Sequence, residues 1–295
     1  MDITILIINW NSGEYLEKLL VSLEDLAGKV SGLLVLDNAS GDHSADCLSA
    51  FPEVLFEQLE SNIGFSAAVN RGFRRVGGKY VLLVNPDVQF DSCTSTVADL
   101  YMAAESSDRA SLVTCPLSYF PSDGGETQIE FQVRPYPSFF NTLADLFFID
   151  EIFSGLKGKA KEARGRELKP GLVELSGQPA AALWLVRKSA WVEAGGLDER
   201  FYPAWFEDVD FCLRIRKLGW KILFSASRGK VFHKGGSSLE SLGFSRFLGL
   251  YYRNLLRYWW KHHPFSFPLI APAAMLGCVA RQFICFFRRF YAKNK

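Results

Sequence analysis

Paired cysteines, glycine-rich phosphate loops and acidic residues near the C-terminus are what this 295-residue chain lacks. Its six cysteines include no C-x2-C pair and follow no regular interval, which argues against a zinc site or a disulfide framework and makes a reducing cytosol the simplest setting. No G-x-G-x-x-G follows the first apolar run and no G-x-x-x-x-G-K-[ST] occurs anywhere, so dinucleotide and P-loop readings lose their best support. No internal repeat is visible. The first apolar run has no basic residues before it and ends at Asn9, so no secretory signal is expected. The longest apolar run, 265–280, has 16 residues and contains Pro268 and Pro272, against the roughly 20 that a membrane-spanning helix needs.

Lysine plus arginine number 33 and aspartate plus glutamate 32, a balance that offers nucleic acid no general attraction. That balance hides an asymmetry. Residues 241–295 contain no acid and nine basic side chains, whereas the 240 residues before them carry 24 basic and 32 acidic ones. An acidic body, 1–240, is therefore joined to a basic, aromatic tail, 241–295. With 48% hydrophobic and 22% charged residues, the chain can bury a large core.

Residues 3–8 are an almost unbroken β-branched and leucine run of strand length, and Ser12 then precedes Tyr15, Leu16, Leu19, Leu20 and Leu23 on one helical face. Residues 33–36, ending at Asp37, and 54–56 predict two more strands. Residues 65–76 predict a helix stopped by Gly77 and Gly78, and 80–84 a strand ending at Asn85-Pro86-Asp87. This alternation predicts an α/β fold, a mostly parallel sheet with helices on both faces and ligands beyond the carboxyl ends of its strands. The stretch 116–176 reads as loops with one short helix, and its basic part, 155–170, as a solvated loop or a lid that meets phosphates. A strand at 181–186, helices at 189–194 and 208–218 and a strand at 221–224 follow. The tail is helical from Phe244 and apolar over 265–287.

The strand ends present Asn9-Trp10-Asn11, Asp37-Asn38-Ala39-Ser40, Asn62-Ile63-Gly64 and Asn85-Pro86-Asp87, polar groups suited to a sugar-bearing nucleotide. Taken singly, Asp37 is equally well a helix N-cap, and Asn-Pro-Asp a type I turn. The acids of Glu207-Asp208-Val209-Asp210 open a helix, where they complement its dipole without any catalytic purpose. In their order, and with Trp205-Phe206, these segments resemble the successive signatures of family 2 glycosyltransferases of GT-A fold, most nearly bacterial rhamnosyltransferase-like members. The likeness runs from residue 3 to about 263. Asn-Pro-Asp stands where many relatives have Asp-x-Asp, and 116–176 follows no part of the pattern.

The resemblance implies a GT-A catalytic domain over 1–240. It implies inverting transfer of a sugar, rhamnose first, from a nucleoside-diphosphate donor to a hydroxyl, in cell-surface polysaccharide or glycolipid assembly. By it, Asp37 accepts from the N3–H of a pyrimidine, Asn9, Asn11 and Asn85 line the nucleotide, and Asn62 with Gly64 lets backbone approach it. Asp87, supplemented by His233, holds a divalent cation, Mg2+ or Mn2+, on the diphosphate. Asp208 is the general base, and Glu207 and Asp210 orient the acceptor or support the loop. Trp184 and Trp205 form a platform for a sugar face, or are core aromatics, and Gly177 and Ala181 resemble a small-residue segment along the donor sugar.

The donor is expected to be dTDP-rhamnose ahead of a UDP-sugar, and the acceptor a glycan or a lipid-linked sugar. A sugar nucleotidylyltransferase would want a glycine-rich basic loop after the first strand, and a non-catalytic nucleotide-sugar binder would lose the acids. The tail, with Tyr251, Tyr252, Tyr258, Trp259 and Trp260 among its arginines, is expected to dock on an anionic membrane at its cytoplasmic face, or to pack on the catalytic part as a helix. His43, His262 and His263 have no context comparable to that of His233.

Overall fold

The computed structural model describes residues 1–147, 171–235 and 243–293, apart from the side chains of 130 and 285–293; the 155–170 stretch lies outside the described residues. In chain order the strands are β1 (Ile3–Asn9), β2 (Gly32–Asp37), β3 (Leu55–Gln58), β4 (Tyr80–Val84), β5 (Val88–Phe90), β6 (Ala110–Thr114), β7 (Leu117–Ser118), β8 (Val133–Arg134), β9 (Leu172–Glu174), β10 (Gln178–Pro179), β11 (Leu183–Arg187), β12 (Lys221–Ser225) and β13 (Val231–His233). The helices are α1 (Gly13–Leu23), α2 (Ser44–Cys47), α3 (Phe65–Arg75), α4 (Cys93–Glu105), α5 (Ile129–Gln132), α6 (Phe139–Leu146), α7 (Lys188–Ala194), α8 (Glu207–Lys217), α9 (Phe244–His262) and α10 (Phe267–Lys293).

Eight strands form one sheet in the order β3-β2-β1-β4-β11-β6-β12-β9. Strands β1 to β4 pair in parallel, as do β6 and β12, while β11 and the edge strand β9 run against their neighbours. Both faces are covered, and the two-residue side-chain period divides each strand between two cores. Ile3, Ile5 and Ile7 of β1 join Tyr80, Leu82 and Val84 of β4 beneath α1 and α4. Leu6 and Ile8 join Val81, Leu83 and Trp184 beneath α3, α7 and α8. The unbroken apolar runs of the sequence follow from this two-sided burial.

The stretch from 116 onward holds more order than loops with one short helix. It contains β7, α5, β8 and α6, of which β7 joins β5 and β13 in a three-stranded sheet and β8 pairs with β10. Gly177 permits that last pairing to be close: a Cβ there would stand 2.5 Å from the Arg134 carbonyl oxygen. The tail does not stand apart. Helix α9 packs Leu248, Tyr252, Leu255, Tyr258 and Trp259 against Phe201, Phe206 and Val209, with Ile270, Ala273 and Ala274 of α10 completing the cluster. Pro268 and Pro272 do not interrupt α10, because both fall in its first two turns, where few backbone hydrogen bonds are forfeited.

Candidate functional site

A cavity of about 470 Å³ opens beyond the carboxyl ends of β1 and β4. It brings together Asn62, Asn85, Asp87, Ala181, Trp205, Glu207, Asp208 and His233 of the residues singled out in the sequence, with Arg246 and Leu250 added by α9. Parallel strands end there with their loops free to face a ligand, as in other sheets of this kind. A more open hollow of about 610 Å³ lies among α3, α7 and α8. Its acid Asp198 is already paired with Arg200 and Lys261, and no strand end reaches it.

Asp87 follows β4 and is 4% exposed; β13 lies antiparallel to β5 and delivers His233, whose Nε2 stands 3.5 Å from Asp87 Oδ1. Gln128, just before α5, fixes that ring: its amide donates to the His233 carbonyl, and its Oε1 lies 2.9 Å from Nδ1. The amide orientation assigns the ring proton to Nδ1, so Nε2 turns a lone pair toward a carboxylate. Burial pushes the imidazole pKa below its ordinary value, although Asp87 opposes this, and so favours the neutral ring that ligates metals. Two facing acceptors of this kind suit a cation between them. No group of three or more His, Cys, Asp or Glu able to hold a metal occurs among the described residues. A hard ion carrying a diphosphate needs only one or two protein ligands, so the pair fits the divalent cation that the resemblance implies.

In the same cavity, Glu207 and Asp208 open α8, preceded by Trp205 and Phe206, both in left-handed backbone (φ 76° and 74°). Such strain in non-glycine residues persists only where the surroundings fix it, and it aims the two carboxylates. Asp208 accepts from the Val209 N–H at 2.8 Å, and its Oδ2 lies 3.4 Å from Arg134 Nη2. Burial pushes the Asp208 pKa up and Arg134 pulls it back. Burial first, then Asp208, pushes the Glu207 carboxyl well above the usual carboxylate range. Both carboxyls are thus raised, Glu207 further than Asp208, and as a coupled pair they disfavour carrying two charges at once. Glu207 Oε2 is buried without a hydrogen bond among the described residues.

Several expectations find a different place. Asp37 is fully buried and takes hydrogen bonds from Asn9 Nδ2 (2.7 Å), the Ser40 hydroxyl and N–H, and Gln58. It stands behind the cavity wall, as does Asn9. Asn11 clips the β1–α1 loop to the next strand end, its Oδ1 accepting from the Gly41 N–H at 2.8 Å. Gly64 (φ 83°) yields room to Tyr202: a Cβ there would lie 2.6 Å from the ring, and the Phe65 N–H donates to the Pro203 carbonyl at 2.7 Å.

Trp184 is no sugar platform. It lies in β11, the strand between β4 and β6, is fully buried and faces Phe211. Asp210 does not line the cavity and is paired with Lys261 (2.6 Å), His262 (2.7 Å) and Arg214 (2.8 Å). Arg134, Gln128 and Arg246 escaped the sequence reading. The first two lie in the segment without periodicity, and Arg246 was counted only as tail charge.

Residues 4–155, just over half of the chain, match the family model "Glycosyl transferase family 2". An N-acetylglucosaminyl-diphospho-decaprenol L-rhamnosyltransferase of Mycobacterium tuberculosis is 27% identical over 243 residues, 78% of this chain and 76% of that protein. Among solved structures, GalNAc-T7 with UDP, GalNAc and Mn2+ aligns with a TM-score of 0.61 at 16% identity, over 90% of this chain and 49% of that one. The mannosyltransferase PcManGT of Pyrobaculum calidifontis, with GDP-Man and Mn2+, aligns at 0.55 and 14% identity, over 93% and 69%. S. aureus TarS 1–349 with UDP-GlcNAc aligns at 0.54 and 15%, over 87% and 65%, so the chain spans under two thirds of that protein. These structural likenesses are of fold, the GT-A type of mostly parallel sheet. The family match covers the ends of β1 and β4 at the cavity, and by it the chain belongs to glycosyl transferase family 2.

Proposed function

We propose that the chain is an inverting glycosyltransferase that moves a sugar, rhamnose in the first instance, from a nucleoside-diphosphate donor to a hydroxyl of a lipid-linked acceptor. The observation that carries this reading is one cavity lined by the adjacent Asp87 and His233 and by the Glu207–Asp208 pair. The donor is dTDP-rhamnose ahead of a UDP-sugar, and the acceptor class is that named for the mycobacterial relative, a sugar on a diphospho-polyprenol. The catalytic domain is 1–240, with α9 adding Arg246 and Leu250 to its cavity, and it works at the cytoplasmic face of a membrane on which 241–295 docks.

Asn62, Asn85 and Ala181 border the donor, with Asn9, Asn11, Asp37 and Gly64 shaping the loops behind them. Asp208, held ionised by Arg134, accepts the proton of the acceptor hydroxyl as its oxygen attacks the anomeric carbon on the face opposite the diphosphate. Glu207, protonated, offers a hydrogen bond to the same acceptor, and Trp205 forms its apolar border. Asp87 and His233 would hold a divalent cation, Mg2+ or Mn2+, which supplies positive charge for the departing diphosphate.

Calorimetry with dTDP-rhamnose and UDP-sugars, with and without Mn2+, tests the donor and the metal together. Wild type is expected to bind dTDP-rhamnose more tightly with Mn2+, and Asp87→Ala to lose that difference. Asp208→Asn should keep donor affinity within a few-fold while turnover falls by about 10²-fold or more, the ordinary contribution of a general base. Metal-independent donor binding, or a rate unchanged in Asp208→Asn, would remove these residues from their roles.

A further inference from the structure

Arg246 lines the cavity with Glu207 and Asp208 yet makes no hydrogen bond or ion pair among the described residues. Arg134, the other guanidinium beside the acids, is already engaged with Asp208. The position of Arg246 also works against its own helix. It is the third residue of α9, whose first turn has no acid and whose N-cap, Gly243, offers no side chain, so its charge opposes the helix dipole. An anion seated there would satisfy both the guanidinium and the free N–H groups of that turn. Glu207 Oε2, buried and without a partner in the same cavity, marks a second unfilled polar position. Beside Arg246 runs a row of aromatics leading out of the cavity: Trp205 meets Phe247 at 4.9 Å between ring centroids, and Phe247 meets the exposed Phe244 at 6.2 Å.

We infer that Arg246 recognises the phosphate of an acceptor whose sugar is joined through a diphosphate to an apolar chain. The sugar hydroxyl then meets Asp208 and Glu207, the phosphate meets Arg246, and the chain leaves along Trp205, Phe247 and Phe244. This rests on the lipid-linked acceptor proposed above and adds the residue that reads it. The donor has a diphosphate too, but its place is beside Asp87, which follows β4, and His233 of β13, whereas Arg246 comes from α9, which packs on Trp205, Phe206 and Val209 around the acids that open α8. A single charged hydrogen-bonding partner of a phosphate is ordinarily worth about 10-fold to 100-fold in affinity.

Binding of farnesyl diphosphate, farnesol, inorganic pyrophosphate and dTDP with Mn2+ is measured by calorimetry on the full chain in detergent, for wild type, Arg246→Gln and Arg246→Lys. Arg246 is exposed, so neither change disturbs packing. The expected result is that Arg246→Gln weakens farnesyl diphosphate by about tenfold or more while dTDP changes less than about twofold. Arg246→Lys should fall between, farnesol should be indifferent to both changes, and pyrophosphate should bind more weakly than farnesyl diphosphate. The inference is overturned if wild type does not bind farnesyl diphosphate, if Arg246→Gln binds it as well as wild type, if pyrophosphate binds as tightly, or if dTDP weakens equally, which would place Arg246 on the donor. Failure of wild type to bind dTDP would instead overturn the donor reading beneath it, an outcome visible in a separate arm.

Discussion

At the scale of the residue, the site depends on which of two adjacent carboxylates keeps its proton. Burial lifts both, and Arg134, whose side chain is half exposed, is the positive group that favours ionised Asp208. In its proposed role as base Asp208 must be ionised to act, so activity is expected to be lost as pH falls through its raised pKa. Removing the guanidinium takes away an interaction with the charged form only, and the pKa rises further. Arg134→Met is therefore expected to move the acid limb of the kcat/KM profile to higher pH, with activity recovering toward wild type as pH increases. A limb that stays in place, or moves to lower pH, would show that Arg134 does not tune the base. Sequence alone could nominate Asp208, because acids at the start of an apolar-periodic helix are conspicuous. It could not nominate Arg134, which lies in a two-residue strand within a segment of no periodicity, placed by pairing with β10 and by the missing Cβ of Gly177.

At the scale of the element, α9 reaches back to the loop before α8 and fixes its shape. Asn254, fully buried, donates to the carbonyls of Ala204 (2.8 Å), Trp205 (3.3 Å) and Tyr202 (3.4 Å) and accepts from Arg257 (2.9 Å). These are the residues that lead into the left-handed pair Trp205 and Phe206, and so into Asp208. Asn254→Ala leaves the Ala204 and Trp205 carbonyls without this donor, the Tyr202 carbonyl still accepting from Arg253, at about 1–3 kcal/mol of stability. Because the loop then loses its fixed geometry, kcat should fall by about tenfold while dTDP affinity is retained. Chemical denaturation and steady-state kinetics measure the two effects, and a destabilised variant with unchanged kcat would leave Asn254 a purely structural residue. The strands and helices of the first 115 residues were legible because two-sided burial writes continuous apolar runs into the sequence. The partnership of α8 and α9 was not. Asp210 looks like any first-turn acid and His262 like a stray tail residue, and only the return of α9 across some fifty positions joins them. Trp184 misled for a related reason: an aromatic in a strand reads alike at a cavity or in a core, and strand order decides which.

At the scale of the whole molecule, α10 divides its sides between two environments. Ile270, Ala273 and Ala274 are buried against α9, and Gly277 lies against the Leu146 carbonyl and the Tyr252 hydroxyl. On the other side Leu269, Met275, Leu276, Val279 and Phe283 are 51–65% exposed, an apolar stripe at helical spacing. Residues 267–284 are long and apolar enough to cross a membrane by length and composition, with mean hydropathy 1.5. Crossing would strip α10 from α6 and α9, to which Arg281 ties it through Asp145 and the Tyr252 hydroxyl. Lying in the surface keeps those contacts and buries the stripe. The occupant argued for is an anionic bilayer, since nine basic side chains and no acid over 241–295 complement it at about 1 kcal/mol for each one near the surface. The full chain is thus expected to co-sediment with vesicles containing phosphatidylglycerol, less so at high salt, and weakly with phosphatidylcholine alone. Leu276→Glu with Val279→Glu changes two exposed positions without touching the packed side, and should lower the vesicle partition constant by about tenfold or more, tenfold being a loss of only about 1.4 kcal/mol. Equal sedimentation of the variant and wild type would mean that the stripe is not the docking surface, and the proposed lipid-linked acceptor would have to reach the cavity by another route.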